Sequence, residues 1–474
     1  MSEKVVSSGI NGLDSVLGGG FPRGSLILLA GNPGTGKTVF SAQFLYRGAV
    51  NHDESGVYVN FCESRQTFYD NMKAFGFDFE KLEKEGKFRY LDLLAVREKA
   101  VSSILDLIIE EIGKIKAKRL VLDSYSALAQ AFEKPFETRI IVQTIFSRIT
   151  RQFECTTLIL AEVPVGKENI GLGMEEFVAD GILMLKKDIE LLLRELVILK
   201  MRGVKVETIK LLFTLDGGFH VFPPLTISMI KEPEKKFEII PHGKEHFSTG
   251  IQDLDNILGE RLKAGNFNLL EIEPNVDFPT ERLLRPTLCN FLNQGQGVII
   301  LLPQGLSGYV MKESLVPFVK QEFLQKNLKI IDYRYAGEEE IKDPCIVKLN
   351  GVSIRSEMRT LWRLNSDLRN KTNKPVFSIV GYDTIEYAYG EKEALKTLGE
   401  DVARIRNMGD IRFNVIRPTI YIANQLRALS HIHLLVKQID GALFLRGIKP
   451  ETPLLNISLE TKDQYTRIKL TPLV

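Results

Sequence analysis

Eight residues near the start of the chain are Gly31-Asn32-Pro33-Gly34-Thr35-Gly36-Lys37-Thr38, which fit the pattern G-x-x-x-x-G-K-[ST] without a mismatch. An apolar run from Ser25 to Ala30 precedes them and predicts a buried parallel strand. The residues from Val39 to Leu45 continue as a predicted helix. The sequence therefore predicts a phosphate-binding loop between a strand and a helix, with a chance match in a glycine-rich turn as the alternative.

A loop of this type binds nucleotides largely through its backbone. Its glycines leave room for N–H groups to close around a β-phosphate, and the helix N-terminus adds a partial positive charge. We expect Lys37 to reach the β- and γ-phosphates and the Thr38 hydroxyl to hold Mg²⁺. The predicted nucleotide-binding residues are therefore those from Gly31 to Val39.

The composition is that of an ordinary globular chain. Of its 474 residues, 44% are apolar and 26% are charged, which predicts two or three domains with substantial cores. With a net charge of +2, no global attraction to nucleic acid or to an anionic membrane is expected. The four cysteines are scattered, the N-terminus lacks an apolar signal, and no apolar run approaches a membrane span. We therefore expect a cytoplasmic protein with reduced thiols.

A repeated motif divides the chain. Ser8–Gly18 recurs as Thr249–Gly259, at an offset of 241 residues, so two copies of one domain are predicted. The charged, proline-bearing stretch Lys231–Lys236 predicts a linker between them. We expect domains at residues 1–230 and 241–474, each an α/β fold with a mostly parallel sheet covered by helices on both faces.

A carboxylate ends the strand predicted at Arg119–Leu122, which is the form of a Walker B motif. This residue is Asp123. In open α/β sheets, ligands bind outside the carboxyl ends of the strands, where Asp123 would lie beside the phosphate-binding loop. We therefore expect Thr38 and Asp123 to hold the metal, Asp123 through its water shell. The alternative is that Asp123 caps a helix.

Several further motifs carry a family resemblance. They are Gly18–Gly24 leading into the loop, Asp123-Ser124, Met174–Gly181 and Lys200–Gly203. Together with the loop they resemble the KaiC branch of the RecA-like ATPases, throughout the first copy and more weakly in the second. The resemblance implies two tandem RecA-like P-loop domains that use ATP and Mg²⁺. It also implies a homohexameric ring with ATP held between subunits.

The second copy has lost the chemistry of the loop. At the offset of 241 residues, the counterparts of Gly36, Lys37 and Thr38 are Asp277, Phe278 and Pro279. An aspartate repels phosphates, a phenylalanine cannot neutralise them, and a proline removes an N–H donor. Asp383, the nearest counterpart of Asp123, is displaced by two positions. We expect a degenerate domain without a functional P-loop and without self-phosphorylation, which acts as a scaffold or binds an unknown protein partner.

Hydrolysis needs a group that orients water against the γ-phosphate. The resembled family places a Glu-Glu pair after the second strand, where this chain has Cys62-Glu63. The resemblance implies that the first glutamate is the general base, and here it has become Cys62. Either Glu63 takes over or hydrolysis is very slow. The alternative is that Glu63 only starts the next helix.

Lys200 and Arg202 form a third group of candidates. They stand two residues apart on a predicted strand, so both side chains would project from one face and reach one phosphate together. The resemblance implies that they act across a subunit interface, in the manner of arginine fingers. A solvated basic edge is the alternative.

These patterns support three functions. The first is an oligomeric regulatory or signalling ATPase with slow, Mg²⁺-dependent hydrolysis in the first domain. The second is a DNA recombination or repair ATPase, but the loop Gly166–Glu176, where such recombinases contact DNA, sets Lys167 against three glutamates. Nucleic acid is therefore not the expected partner. The third is a platform that senses ATP without hydrolysing it.

Overall fold

The structure is a computed structural model that describes residues 4–93, 101–124, 149–150, 152–163, 179–188, 193–225, 237–333, 343–462 and 465–474. The chain divides into two compact units, Met1–Pro224 with Leu473–Val474 and Leu225–Pro472. The predicted α/β class with two tandem domains is confirmed. The division falls shortly before the predicted linker, and Lys231–Lys236 lies outside the described residues.

Helices and strands alternate through most of the first unit. Its described elements are, in chain order, β1 (Val5–Val6), α1 (Leu13–Val16), β2 (Phe21–Pro22), β3 (Leu26–Gly31), α2 (Lys37–Asn51), β4 (Gly56–Asn60), α3 (Arg65–Lys73), α4 (Phe79–Lys84), β5 (Phe88–Asp92), α5 (Val101–Ile115), β6 (Arg119–Asp123), β7 (Thr156–Glu162), β8 (Gly181–Asp188), β9 (Leu193–Met201), β10 (Lys210–Thr214) and β11 (His220–Phe222). The main sheet has the order β11-β10-β9-β8-β3-β7-β6-β4-β5. The strands from β8 to β5 are parallel, and β9, β10 and β11 extend the sheet in antiparallel fashion.

Strand β3 lies at the centre of this sheet and is buried along its whole length. Successive residues of a strand point to opposite faces, so its side chains enter two cores. Ile27 belongs to the core that contains Phe40 of α2, and Leu28 belongs to the core that contains Ile108 of α5. Helices therefore cover both faces, and the loop that follows β3 emerges at the edge of the sheet.

The second unit repeats this architecture. Its described elements are, in chain order, α6 (Gln252–Leu258), a 3₁₀ helix (Gly259–Arg261), β12 (Phe267–Ile272), α7 (Thr280–Asn293), β13 (Val298–Leu301), α8 (Gly308–Leu315), α9 (Gln321–Asn327), β14 (Leu328–Tyr333), β15 (Ile346–Leu349), α10 (Ile354–Thr372), β16 (Phe377–Gly381), α11 (Tyr382–Tyr389), α12 (Glu391–Met408), β17 (Ile411–Ile416), α13 (Ala423–Leu429), β18 (His433–Ile439), β19 (Ala442–Lys449), β20 (Glu451–Lys462) and β21 (Tyr465–Pro472). The sheet order is β15-β14-β13-β16-β17-β12-β18-β19-β20-β21. From the antiparallel edge, this is the order of the first unit with β15 added at the far edge. Among the helices of the described ranges, none is long and apolar enough to cross a bilayer.

The repeated sequence motif makes the same hydrogen bonds in both units. In the first, the Ser8 N–H donates to Asp14 Oδ1 at 2.8 Å. In the second, the Thr249 N–H donates to Asp255 Oδ1 at 2.7 Å. Asp14 and Asp255 are related by the offset of 241 residues. The motif is therefore a structural one, because in each unit it fixes the segment that leads into the first helix.

Candidate nucleotide site

The predicted phosphate-binding loop joins β3 to α2. β3 ends at Gly31 and α2 begins at Lys37, which gives the predicted order of strand, loop and helix. Gly34 and Gly36 have φ angles of +77° and +100°, which residues with a Cβ rarely adopt. A Cβ on Gly36 would also lie 3.0 Å from the side chain of Leu215. Gly36 is therefore required both by its backbone conformation and by its packing.

Side chains of the loop hold it in place. Asn32 Nδ2 donates to Val163 O at 2.8 Å, and the Thr35 hydroxyl donates to Asn32 O at 2.8 Å. The Lys37 ammonium lies over the loop and donates to Gly31 O at 2.8 Å and to Asn32 O at 3.1 Å. The protein's own contacts thus fix the loop and keep a buried cation over it.

Carboxylates lie along the edge of the sheet that carries the loop. The order β3-β7-β6-β4 sets the carboxyl ends of these parallel strands side by side, and the register pairs Gly31 with Glu162 and Asn60 with Asp123. Glu162 was not among the predicted site residues, although it ends an apolar strand as Asp123 does. Its position next to the loop depends on the order of the strands, which the sequence does not show.

Lys37 and these carboxylates influence one another electrostatically. Burial lowers the pKa of the Lys37 ammonium, and the charges of Glu162 and Asp123 oppose this shift. Burial raises the pKa of the Asp123 carboxyl, and a hydrogen bond from Tyr58 and the charge of Lys37 act against it. Poorly solvated charges of both signs at one edge of a sheet are typical of functional sites.

Thr38 and Asp123 suit the predicted metal. The Tyr58 hydroxyl donates to Asp123 Oδ2 at 2.7 Å, which fixes the carboxylate at the end of β6. Burial raises the pKa of Tyr58 well above its usual value, so this hydroxyl stays protonated and remains a donor. Thr38 lies in the first turn of α2. A hydroxyl and a carboxylate are hard oxygen ligands of the kind that Mg²⁺ prefers.

Cys62 and Glu63 lie in the segment that follows β4. The side-chain oxygen of Asn60 accepts the N–H of Cys62 at 2.7 Å and the N–H of Glu63 at 3.0 Å. Asn60, which was not among the predicted site residues, therefore sets the positions of both. Helix α3 begins at Arg65, and Ser64 caps it. Glu63 therefore stands directly before the capping residue of this helix.

The Glu63 carboxylate is only partly accessible to water. Burial raises the pKa of the Glu63 carboxyl, a hydrogen bond from Asn71 opposes that shift, and repulsion from Asp123 adds to it. The bond runs from Asn71 Nδ2 to Glu63 Oε1 at 2.8 Å. A raised pKa moves a carboxylate towards the range in which a general base is most effective. Cys62, by contrast, is exposed.

Lys200 and Arg202 differ from the prediction in their local structure. β9 ends at Met201, so Arg202 stands in the following turn, and the prediction that both residues lie on a strand is wrong for Arg202. The Arg202 N–H bonds to Asp180 O at 2.9 Å, and Arg202 Nη1 lies 3.4 Å from Asp180 Oδ1. Since Arg202 is outside the strand, the alternating side-chain directions of a strand do not place Lys200 and Arg202 on one face.

The same two cations lie away from the loop of their own chain. Leu185 of β8 pairs with Gly31 and also with Leu196 of β9, so Leu196 marks the level of the loop. Lys200 pairs with Ile182, which pairs with Leu28, and Leu28 lies three residues before Gly31, about 10 Å along an extended strand. The structure does not bring Lys200 and Arg202 together with this loop.

Arg194, which was not predicted, lies beside the loop instead. It stands near the start of β9, and its Nη1 donates to Gly34 O at 3.1 Å. Its Nε donates to the carbonyl of Val474 at 3.2 Å, a residue that belongs to the first unit. Burial lowers the pKa of this guanidinium. Arg194 reaches the loop because β9 returns antiparallel to β8, and no local sequence pattern signals that return.

In the second unit, the segment after β12 is packed against the fold. Phe278, the counterpart of Lys37, is buried in the apolar core, and the side-chain oxygen of Gln438 accepts the Asp277 N–H at 2.8 Å. Asp383 is buried as well, which raises its pKa, and its Oδ1 accepts two backbone N–H groups. Phe278 therefore contributes to the packing of the second unit, and Asp383 contributes to its hydrogen bonding.

Two predicted regions fall largely outside the described residues. They are the loop Gly166–Glu176 and the motif Met174–Gly181 up to residue 178. Of that motif, Asp180 is described, and its Oδ2 accepts the Leu26 N–H at 3.1 Å. It therefore ties the start of β8 to the start of β3.

Fold and loop geometry together define an α/β protein of the P-loop class. The family model for the KaiC ATPase matches residues 6–225. A UPF0273 protein of Methanocaldococcus jannaschii is 34% identical over 246 residues, which make up 48% of this chain and 99% of that protein. The chain therefore belongs to the KaiC family of ATPases, and the resemblance found in the sequence is confirmed.

Two further comparisons fall on about half of the chain. The circadian clock oscillator protein KaiC of Synechococcus elongatus is 34% identical over 229 residues, which cover 45% of this chain and 43% of that protein. The chain thus spans about half the length of the clock-protein relatives it matches. Among solved structures, a KaiC-like protein from Pyrococcus horikoshii is 39% identical with a TM-score of 0.42, over 46% of this chain and 99% of that chain.

Proposed function

We propose that the first unit binds ATP and Mg²⁺ at Gly31–Val39 and hydrolyses ATP slowly, in an oligomeric regulatory or signalling ATPase. The observation that carries this proposal is the buried Lys37 ammonium, held over a glycine-bearing loop at the start of a helix. Asp123 and Glu162 stand beside it and influence its pKa. A poorly solvated cation among backbone N–H groups at a helix N-terminus suits an anionic phosphate.

The loop and Lys37 would hold the phosphates together. Lys37 Nζ donates to two carbonyl oxygens, and a phosphate would offer it charged acceptors. Charge-assisted hydrogen bonds are roughly twice as strong as neutral ones, so this exchange favours binding. Thr38 and Asp123 are the residues that would hold Mg²⁺. The ion, when bound, neutralises phosphate charge and polarises the γ-phosphate.

Glu63 is the general base in this proposal, and two features would make hydrolysis slow. Its Oε1 is held by Asn71, so orienting water requires that bond to rearrange or the other oxygen to act. Cys62 contributes little, since an unperturbed thiol has a pKa of about 8.5 and nearby phosphate disfavours the thiolate. The same two features favour the second candidate, a platform that senses ATP without hydrolysing it.

Self-association would bring two further cations, Lys200 and Arg202 of a neighbouring subunit, to the loop. Lys200 and Arg202 lie at the far end of β9 from the level of Gly31, so a neighbouring subunit would present the phosphate they reach. We therefore propose a homohexameric ring with ATP between first units. The second unit, whose corresponding segment is packed by Phe278, would bind a protein partner.

Calorimetric titration of the full chain with a non-hydrolysable ATP analogue tests the binding proposal. One site per chain is expected with Mg²⁺, and weaker binding is expected after chelation of the metal. Lys37→Ala should abolish binding, whereas Lys205→Ala, at an exposed position of the same unit, should leave it intact. Two sites of comparable affinity, or binding that survives Lys37→Ala, would contradict the proposal.

Phosphate release separates the two candidate functions. Release that depends on Lys37 and Glu63 would support the slow ATPase. Intact binding without measurable release, in a protein that still assembles, would favour the ATP-sensing platform.

A further inference from the structure

The second unit contains a cavity of about 60 Å³ between α7 and its sheet. Leu270, Phe413 and Val436 line it from the sheet, and Leu284 lines it from the helix. Thr249 also contributes to the wall, but its hydroxyl donates to Asp255 Oδ1 at 2.6 Å. The wall is therefore almost entirely hydrocarbon.

The wall of the cavity extends to partly exposed side chains of α7. Leu283 and Thr287 line it, and both are half-buried. They stand four residues apart on the helix and therefore lie on the same face, one turn from each other. A small molecule could enter between these two side chains.

Aromatic rings fill the corresponding volume of the first unit. Phe213 and Phe219 stack with their ring centroids 4.2 Å apart. Phe40 of α2 packs edge-on against Phe219, with centroids 5.0 Å apart. All three side chains are fully buried.

Strand pairing identifies the residues that replace two of these rings in the second unit. One row of paired residues crosses four neighbouring strands in each unit. In the first unit this row is Gly31, Leu185, Leu196 and Leu211, and in the second unit the corresponding row is Ile272, Val436, Leu445 and Leu455. Two residues further along, Ile457 takes the place of Phe213, and the register of the last hairpin gives Ile468 the place of Phe219. At two of the three places, a smaller branched side chain that lines the cavity thus stands where the first unit has an aromatic ring.

An apolar cavity favours apolar occupants. Water needs polar partners to stay in such a space, and an empty cavity costs the stability of the contacts that its walls lose. A cavity of roughly 150 Å³ with Leu, Ile and Phe walls binds benzene or xenon. The smaller volume of about 60 Å³ in the second unit suits xenon or an alkyl group better than an aromatic ring.

We propose that this cavity binds a short alkyl group, which enters between Leu283 and Thr287. The alkyl group belongs either to a small free hydrocarbon or to the end of a longer chain whose polar head stays outside the cavity. The second unit would then bind a ligand of its own, at a place that aromatic rings occupy in the first unit.

Xenon binding to the full chain tests the cavity, by crystallography under xenon pressure or by ¹²⁹Xe NMR. The wild type should bind xenon there. Ile457→Phe restores the ring of the first unit and should abolish the xenon site, with Ile468→Phe as a second variant if the first does not fold. Ile448→Phe makes the same change at a side chain of β19 that is 39% exposed, and it should retain the site. No xenon in the wild type, or a site that survives both cavity-filling changes, overturns the proposal.

Competition then distinguishes the two sources of the alkyl group. Displacement of xenon by butane but not by octanoate would identify a free hydrocarbon. Displacement by octanoate as well would identify the end of a longer chain. If neither compound displaces xenon, the assignment of an alkyl ligand is wrong.

Discussion

Lys37, Asp123 and Glu63 are ionisable groups in places where water solvates them poorly. Burial lowers the pKa of Lys37 and raises the pKa values of Asp123 and Glu63, and each shift disfavours the charged form. A phosphate beside Lys37 and a metal beside Asp123 would favour the charged forms again.

Asn71→Ala should move the acid limb of the ATPase pH profile to higher pH. Burial raises the pKa of Glu63, and the bond from Asn71 Nδ2 holds that rise in check. A general base acts when deprotonated, so the rate falls as pH drops through its pKa. Without Asn71, that fall should begin at a higher pH in initial-rate measurements. Gln66→Ala removes a bond to Asp70 on the same helix and should leave the limb in place. An unmoved limb in Asn71→Ala would show that Glu63 is not the base.

Cys62→Glu should raise turnover while nucleotide affinity stays nearly constant. The backbone of Cys62 is already fixed by Asn60, so a carboxylate introduced there has a defined attachment point near Asp123. Positioned general-base catalysis contributes roughly 10²- to 10⁴-fold, which sets the size of the expected gain in steady-state phosphate release. Glu63→Gln should remove the activity of the wild type. If Cys62→Glu changes nothing and Glu63→Gln abolishes release, Glu63 is already an effective base and hydrolysis is not slowed by Cys62.

At the scale of elements, the sequence predicts those whose signal is local. β3 and the middle of β6 are apolar because parallel strands are buried on both faces, and α5 shows helical periodicity because one face packs on the sheet. Asn60 acts through local bonds to Cys62 and Glu63, which an Asx turn signals. The site residues Glu162 and Arg194 could not be predicted from local signals. Their places depend on which strands are neighbours and on the antiparallel return of β9, and these are relations between distant parts of the chain.

A buried charge cluster ties three elements of the second unit together. Glu271 of β12 accepts two hydrogen bonds from Arg427 of α13, and its Oε2 lies 2.9 Å from His433 Nε2 at the start of β18. Burial alone would raise the pKa of the Glu271 carboxyl, but these partners hold it at about 2, below the usual 4.5. The charged form of Glu271 is therefore favoured by folding.

Glu271→Gln should weaken the acid sensitivity of the second unit. A carboxyl whose pKa is lower in the folded state contributes stability above its unfolded pKa and loses it as pH falls through the folded one. The free energy of unfolding should therefore drop between pH values of about 4.5 and 2 in the wild type. Urea unfolding across this range should show a flatter dependence in Glu271→Gln. Glu460→Gln, at an exposed position of the same unit, is the control. An equally steep dependence in Glu271→Gln would mean that other groups govern it.

At the scale of the whole molecule, one topology carries two different sites. The order of strands is the same in both units apart from β15, so what differs is which side chains fill equivalent places. In the first unit, Lys37 lies over an intact loop. In the second, Phe278 packs into the core, and Ile457 and Ile468 line the cavity beside α7. The repeat therefore supports a division of roles between nucleotide binding and partner or ligand binding.

The placement of the loop and of two cations in the first unit is compatible with the proposed ring. The loop follows the carboxyl end of β3, and Lys200 and Arg202 lie towards the amino end of the same sheet. An interface that joins the loop of one subunit to the cations of the next is head-to-tail. A head-to-tail interface generates a closed ring when its rotation closes.

Mixing two inactive variants should therefore restore activity. A Lys37→Ala subunit cannot bind phosphate but still offers Arg202, and an Arg202→Ala subunit keeps its loop. Interfaces that combine an intact loop with an intact Arg202 form only in the mixture. Phosphate release should therefore exceed that of either variant alone and be highest near equal proportions. Mixing Lys37→Ala with Lys37→Ala,Arg202→Ala provides no intact loop and should stay inactive. Analytical ultracentrifugation of each sample must show the same assembly. If equal assemblies show no rescue at any ratio, Arg202 does not act on the phosphate of a neighbouring subunit, and its contact with Asp180 is structural.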